Sequence, residues 1–341
     1  MFDATSAAAY VQALFRFVLN RPSPEQHELE HWSNFLLERQ DPVEVLERFG
    51  LSVEAQSHRK SIAAATEGFP PGHFYSPIVN FEEVETDSGR LFTRHAPLGV
   101  DMNVLVQKYI FDKLVYHSAD LPFSDEKTEG LRYYYNNTSY AFGDAFGYWG
   151  MLAHLRPARI IEIGSGFTSA LALDGIELLG LDTTCTFIDP YPDLLLRVTS
   201  PLAPRHRVIA DRVQSISPKL VEALEAGDIL FIDSSHVVKT GSDVHFELTE
   251  LLPRLAPGVV VHFHDVFDSF EYPKTWVVEA KQSWNEIYFL QAFLMGDSGF
   301  EIIYFNDFFA KEFAAHIDAL PIAMSRRIHL NPGGGLWLRR C

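Results

Sequence analysis

The chain has 341 residues, 47% of them hydrophobic, and a formal net charge of −17. That length suits two domains with a sizeable core, and the acidic balance argues against nucleic-acid backbones, leaving small molecules or peptides as substrates. Cys185 and Cys341 are too few for a disulfide framework or a metal-type spacing. No long uncharged apolar run suggests a membrane span, and a start without a basic n-region points to the cytoplasm.

Residues 8 to about 56 read as helical. Apolar positions from Tyr10 to Leu19 keep helical spacing up to Asn20-Arg21-Pro22. Pro24 opens a second helix with Leu29, Trp32, Phe35 and Leu36, and a third runs from Pro42 until Gly50 stops it. This 1–60 segment is expected to be an accessory helical domain. Its string of aromatic and leucine positions resembles a small domain of unknown function related in pattern to phycobilisome linkers. Residues 61–130 read as a linker and helical cap: an ordered, turn-rich stretch from Gly68 to Pro77, with His73 and Tyr75 exposed to a substrate or bracing the chain, then a helix over 101–118.

The main domain is expected over 131–341. Tyr133 to Tyr140 precede an aromatic helix from Gly143 to Leu155, which Arg156-Pro157 ends. The apolar run Arg159–Ile163 then leads into Gly164-Ser165-Gly166 and a small-residue, leucine-rich helix. This strand, tight turn and helix put backbone N–H groups and a helix N-terminus against a nucleotide-like ligand. Further strands follow at Thr184–Asp189, Arg207–Ala210, Asp228–Asp233, Gly258–His264, Phe300–Phe305 and Gly333–Arg339, with a helix over Trp284–Leu294. The alternation predicts an α/β fold with a doubly wound, Rossmann-like sheet.

Glu162, Gly164, Gly166 and Ser169 form the pattern E-x-G-x-G-x-x-S, which resembles the first motif of class I S-adenosylmethionine-dependent methyltransferases. A nicotinamide dehydrogenase would want a glycine or alanine at Ser169. Asp189, about twenty residues on, suits a carboxylate gripping ribose hydroxyls in either family. The terminal strand pair resembles the antiparallel sixth and seventh strands of the seven-stranded methyltransferase sheet. The resemblance implies S-adenosylmethionine as cofactor, with Glu162, Gly164, Ser165, Gly166, Ser169, Asp189, Gln214 and Asp233 as its binding residues. In that family the segment before the first strand commonly packs over the cofactor, which makes Asn137 and Tyr140 candidate contacts, with plain core packing as the alternative.

In an open α/β sheet the ligand lies beyond the carboxyl ends of the strands. Glu162, Asp189, Asp233 and Asp265 are expected to converge there. His264, with Asp265 beside it, and His236 and Asp233 are the expected catalytic groups, a histidine oriented by a carboxylate serving as base. His262 reads as a satisfied core histidine. Some sugar O-methyltransferases of similar fold hold magnesium after the fourth and fifth strands, which here implicates Asp233 and Asp265. His264-Asp265 stands where those enzymes have an acidic pair, so zinc or iron stays open and no metal is assigned. The expected reaction is O-methylation of a small polar acceptor, a sugar or secondary-metabolite intermediate. Peptide or N-methylation, and nicotinamide-dependent hydride transfer, stand as alternatives, and the oligomeric state is open.

Overall fold

A computed structural model describes residues 2–19, 24–50, 69–119, 121–199 and 201–341. The chain divides into two compact units, Met1–Asn80 and Phe81–Cys341. In the first, helices Ala4–Leu19, Gln26–Arg39 and Pro42–Gly50 bury Ala7, Val11, Leu14, Leu36, Val45 and Phe49 as a core of their own. The expected stop at Asn20–Pro22 and the helical continuation over 51–56 lie outside the described residues.

The second unit is built on seven strands: β1 Arg159–Ile163, β2 Thr184–Ile188, β3 Arg207–Ile209, β4 Ile229–Ile232, β5 Val260–Phe263, β6 Phe300–Phe305 and β7 Leu336–Arg340. Their order is β3-β2-β1-β4-β5-β7-β6. β7 runs antiparallel to both β5 and β6, whereas the pairings among β1 to β5 are parallel. This is the seven-stranded methyltransferase sheet that the sequence predicted, and the inserted antiparallel β7 removes the ground for an all-parallel dehydrogenase sheet. β4 and β5 are buried along their whole length, as strands covered on both faces must be, which explains their unbroken apolar runs.

Helices Phe142–Leu155 and Phe167–Leu178 cover the sheet and are buried over most of their length. The connection between β6 and β7 holds three helices that the sequence reading did not place, Asn306–Glu312, Ala314–Asp318 and Ile322–Leu330. Phe309, Ile317 and Ile328 anchor them in the main core. Among the described residues no helix is long and apolar enough to cross a membrane.

Strand order reverses between β1 and β4, and at such a switch point the two flanking crossovers leave in opposite directions and open a crevice. The hydrogen-bond ladder runs one residue past the strands here: Asp233 N–H donates to Ile163, Asp189 N–H to Ile209 and His264 N–H to Ile232. That extra step brings Asp189, Asp233 and His264-Asp265 to one rim.

Candidate active site

Gly164 sits at the switch point with φ of +79°. A Cβ there would lie 1.8 Å from the Asp233 carbonyl oxygen, so β1 and β4 can close at the rim only over a glycine. The turn then hands Ser165 to Asp189, whose carboxylate accepts from the Ser165 N–H and hydroxyl at 3.0 and 2.8 Å. Its other oxygen accepts from the Tyr191 N–H at 2.8 Å. Asp189 is thereby fixed facing a crevice of about 450 Å³, which Gly164, Gln214 and Asp233 also line. The Gln214 amide donates to the Gly241 carbonyl at 2.9 Å and so ties the far wall of this crevice together.

Glu162 departs from the expected placement. It does not join the other acids at the rim but is fully buried behind the turn, because it lies one residue inside the end of β1. One of its oxygens accepts from the Thr168 and Ser169 hydroxyls, each at 2.6 Å. Ser169 Oγ in turn accepts from Gly166 N–H at 3.1 Å. Strand end, glycine turn and helix start are locked through Glu162 and Ser169, neither of which faces the crevice. Burial pushes the Glu162 carboxyl up to about 8, although the two hydroxyls oppose the shift.

A second cavity, of about 470 Å³, opens on the other side of the rim. Tyr140, Asp144, His264, Asp265 and Trp276 are among its walls, with Asp307 and Lys311. Asn137 knits the strap over it, accepting from Ser139 and Tyr140 N–H and donating to the Tyr134 and Tyr140 carbonyls.

Between crevice and cavity stands a compact group of carboxylates and imidazoles. His264 Nδ1 lies 3.5 Å from both Asp233 and Asp265, and its Nε2 lies 3.5 Å from Asp144. His236 Nε2 lies 3.5 Å from Asp233 and from Asp265, while its Nδ1 meets Glu286 at 2.8 Å. Burial alone would strip the proton from both imidazoles. The carboxylates reverse that: Asp233 and Glu286 push His236 up to about 10, and Asp265, Asp233 and Asp144 raise His264. Burial would likewise raise Asp233, but His264 and His236 overcome it and hold that carboxyl below the ordinary range. Both imidazoles therefore carry their protons at neutral pH, unlike the near-neutral base expected from sequence.

His262 is the other correction. It is fully buried between Phe231 and Trp337, with ring centroids 4.2 and 4.3 Å away. Neither ring nitrogen finds a hydrogen-bond partner among the described residues. Burial holds it neutral, so it is an apolar filler rather than a satisfied polar residue.

Sequence reading missed Asp144 and Glu286. Asp144 is the lone acid in the apolar helix Phe142–Leu155 and accepts from Gly334 N–H at 2.9 Å. That isolation was the available signal. Glu286 opens helix Glu286–Leu294, where an acid reads simply as favourable to the helix N-terminus. The expected start at Trp284 moves to Glu286 because Asn285 and Glu286 N–H both turn to the His236 carbonyl.

Asp233, His236 and Asp265 can present one ligand atom each within 4.8 Å of one another. Magnesium takes oxygen ligands in near-octahedral array. A donor set with an imidazole at its centre, and a second one 3.5 Å from both carboxylates, does not fit that ion.

Residues 161–266 match a family described as a methyltransferase domain. An uncharacterised protein of Archaeoglobus fulgidus is 36% identical over 165 residues, spanning 46% of this chain and 74% of that protein. Solved structures that are similar include the SAH-bound methyltransferase PaMTH1 of Podospora anserina, 14% identical, covering 77% of this chain and 97% of that one with a TM-score of 0.37. A methyltransferase structure from Thermobifida fusca is also 14% identical, over 57% and 77% of the two chains, with a TM-score of 0.35. At these values the structural likenesses carry no argument.

Proposed function

We propose that this chain, which belongs to the same family as the Archaeoglobus protein and carries an S-adenosylmethionine-dependent methyltransferase domain, methylates a hydroxyl of a small polar acceptor such as a sugar or secondary-metabolite intermediate. The observation that carries this reading is the pair of spaces on either side of the Asp233–His264–Asp265 group. The crevice at the switch point takes the cofactor. Gly164 permits the close approach, Asp189 accepts from ribose hydroxyls, and Gln214 and Asp233 complete the wall. Glu162 and Ser169 act from behind by holding the turn. Bound there, the cofactor supplies an electrophilic methyl group.

The second cavity takes the acceptor. Its Asp144, Asp265 and Asp307 carboxylates suit hydroxyl donors and disfavour anionic acceptors, and Trp276 offers an apolar face. His264 lines this cavity and Asp233 turns toward the crevice, so the group is placed to receive an acceptor proton as the methyl group transfers. His264 must first give up the proton that its carboxylate neighbours favour. Peptide and amine acceptors remain the second reading, favoured by the number of aromatic walls. The helices within residues 4–50 are assigned an accessory role.

Calorimetric titration of S-adenosylmethionine and S-adenosylhomocysteine into wild type and Asp189→Ala tests the cofactor assignment. Saturable binding that weakens roughly 10- to 100-fold in the variant is expected, the size of a lost charge-assisted hydrogen bond. Absence of binding to folded wild type refutes the reading.

A further inference from the structure

We propose that residues 91–94 and the loop 267–274 enclose an outer acceptor subsite that takes a second, neutral hydroxylated ring. The acceptor is then a glycoside of at least two rings. This inference rests on the assignment of the second cavity to the acceptor.

The outer cavity measures about 300 Å³, at the lower end of ligand sites and enough for one ring-sized group. Phe267, Pro273 and Lys311 line both it and the second cavity. Those shared side chains are the partition between the two spaces, so a ring joined to an acceptor in the second cavity reaches the outer one.

The roof comes from a part of the chain that does not pack into the core. None of residues 81–96 is buried, the short helices Phe81–Thr86 and Ser88–Leu91 included. The ties that hold this segment are largely polar. Arg94 bonds Asp268 and, at 3.0 Å, Glu312. His95 N–H donates to Ser269 Oγ at 3.2 Å, and that hydroxyl lies 3.3 Å from the His95 carbonyl. Lys274 donates to the Ser88 hydroxyl at 3.2 Å. The segment is thus fixed at its polar groups while Leu91 and Phe92 stand over a cavity, and those apolar faces gain from burial against a ligand.

The chemistry of the walls selects the ligand. Arg94 and Lys311 both reach the buried Asp268, and Lys311 also meets Asp307 at 2.6 Å. These charges are offset in place, so the cavity presents fixed donors and acceptors without a strong pull on an ion. Lys274, whose partner among the described residues is the Ser88 hydroxyl, shares its wall with Glu271. A sugar ring carries hydroxyls that both donate and accept around its edge, and C–H faces that suit Phe92 and Phe267. It satisfies both kinds of wall at once. A wholly apolar ring would strip water from the charged groups without replacing its bonds. A phosphate would sit against Asp268 and Glu271, at the cost of like-charge contact.

The test uses the full chain saturated with S-adenosylhomocysteine and saturation-transfer NMR. The probes are methyl glycosides of glucose, galactose and mannose, each alone and extended by a second 1→4-linked ring. At least one two-ring probe is expected to bind through both rings, roughly tenfold tighter than its single-ring counterpart. Leu91→Trp, which fills the outer cavity without removing a polar tie, should erase that advantage and the signal of one ring, leaving single-ring binding as in wild type. Lys274→Ala should reduce the advantage in part. Circular dichroism and an unchanged affinity for S-adenosylhomocysteine establish that each variant is folded. Single rings that bind as well as their two-ring counterparts, or two-ring binding that Leu91→Trp leaves intact, overturn the subsite while the acceptor cavity stands. No binding by any of these sugars overturns the subsite and the sugar-acceptor reading together.

Discussion

Glu162→Gln is the most informative single change away from the rim. The wild-type carboxyl is fully buried, accepts two hydroxyls on one oxygen, and leaves the other without a partner among the described residues. Burial pushes its carboxyl up to about 8 in the folded chain, against the ordinary 4.5 of an exposed glutamate. Because the folded value is raised, the folded state keeps its proton where the unfolded chain loses it. The contribution to stability is fully present below pH 4.5 and is lost as pH rises through about 8. With 1.36 kcal/mol per unit and a gap of 8 − 4.5 = 3.5, the loss reaches about 5 kcal/mol. Glutamine keeps the carbonyl that accepts from Thr168 and Ser169 and has no charge to bury. Urea unfolding of both proteins from pH 5 to pH 9 measures the effect. The stability of the variant minus that of wild type should grow steadily with pH by several kcal/mol, other titrating groups cancelling in the difference. A difference that stays flat with pH would refute the reasoning, since Glu162 would then be ionised in place or solvated.

Gly164→Ala should destabilise the fold by about 3 kcal/mol or more, from the left-handed backbone and the forced retreat of the Asp233 carbonyl, and should lower cofactor affinity in the same calorimetric assay. Asp174→Ala removes a buried carboxylate that accepts from the Arg132 and Tyr133 N–H groups and the Arg132 side chain. A cost of about 2–4 kcal/mol is expected in denaturant unfolding, with faster hydrogen exchange along residues 131–137. Once an acceptor is in hand, methyl transfer should rise with pH through a value above the ordinary 6.5 of histidine, because the carboxylates around His264 retain its proton. Asp144→Asn should move that midpoint downward; an unmoved profile would remove His264 from the proton path.

The sheet was legible from sequence because its central parallel strands β1, β4 and β5 are buried on both faces and so write themselves as largely apolar runs between turn formers. Gly164, Asp189 and Asp233 were legible for a related reason: the chain must turn at the end of each strand, and polar residues there meet the ligand edge whatever the rest of the fold does. Which of those acids reaches the rim was not written in the local pattern. Glu162 lies one residue inside β1, and only the packing of helix Phe167–Leu178 onto that strand decides that hydroxyls, not a crevice, surround it. The histidines were found as residues, but their protonation depends on Asp144, some 120 positions from His264, and on Glu286, 50 positions from His236. An imidazole near neutrality is set by the charges within a few ångströms, and those arrive from helices that the local sequence does not name. Period and turn chemistry fixed the scaffold and its open edge; the charge of the cluster on that edge was settled by long-range packing, because electrostatic interaction follows distance in space and not separation along the chain.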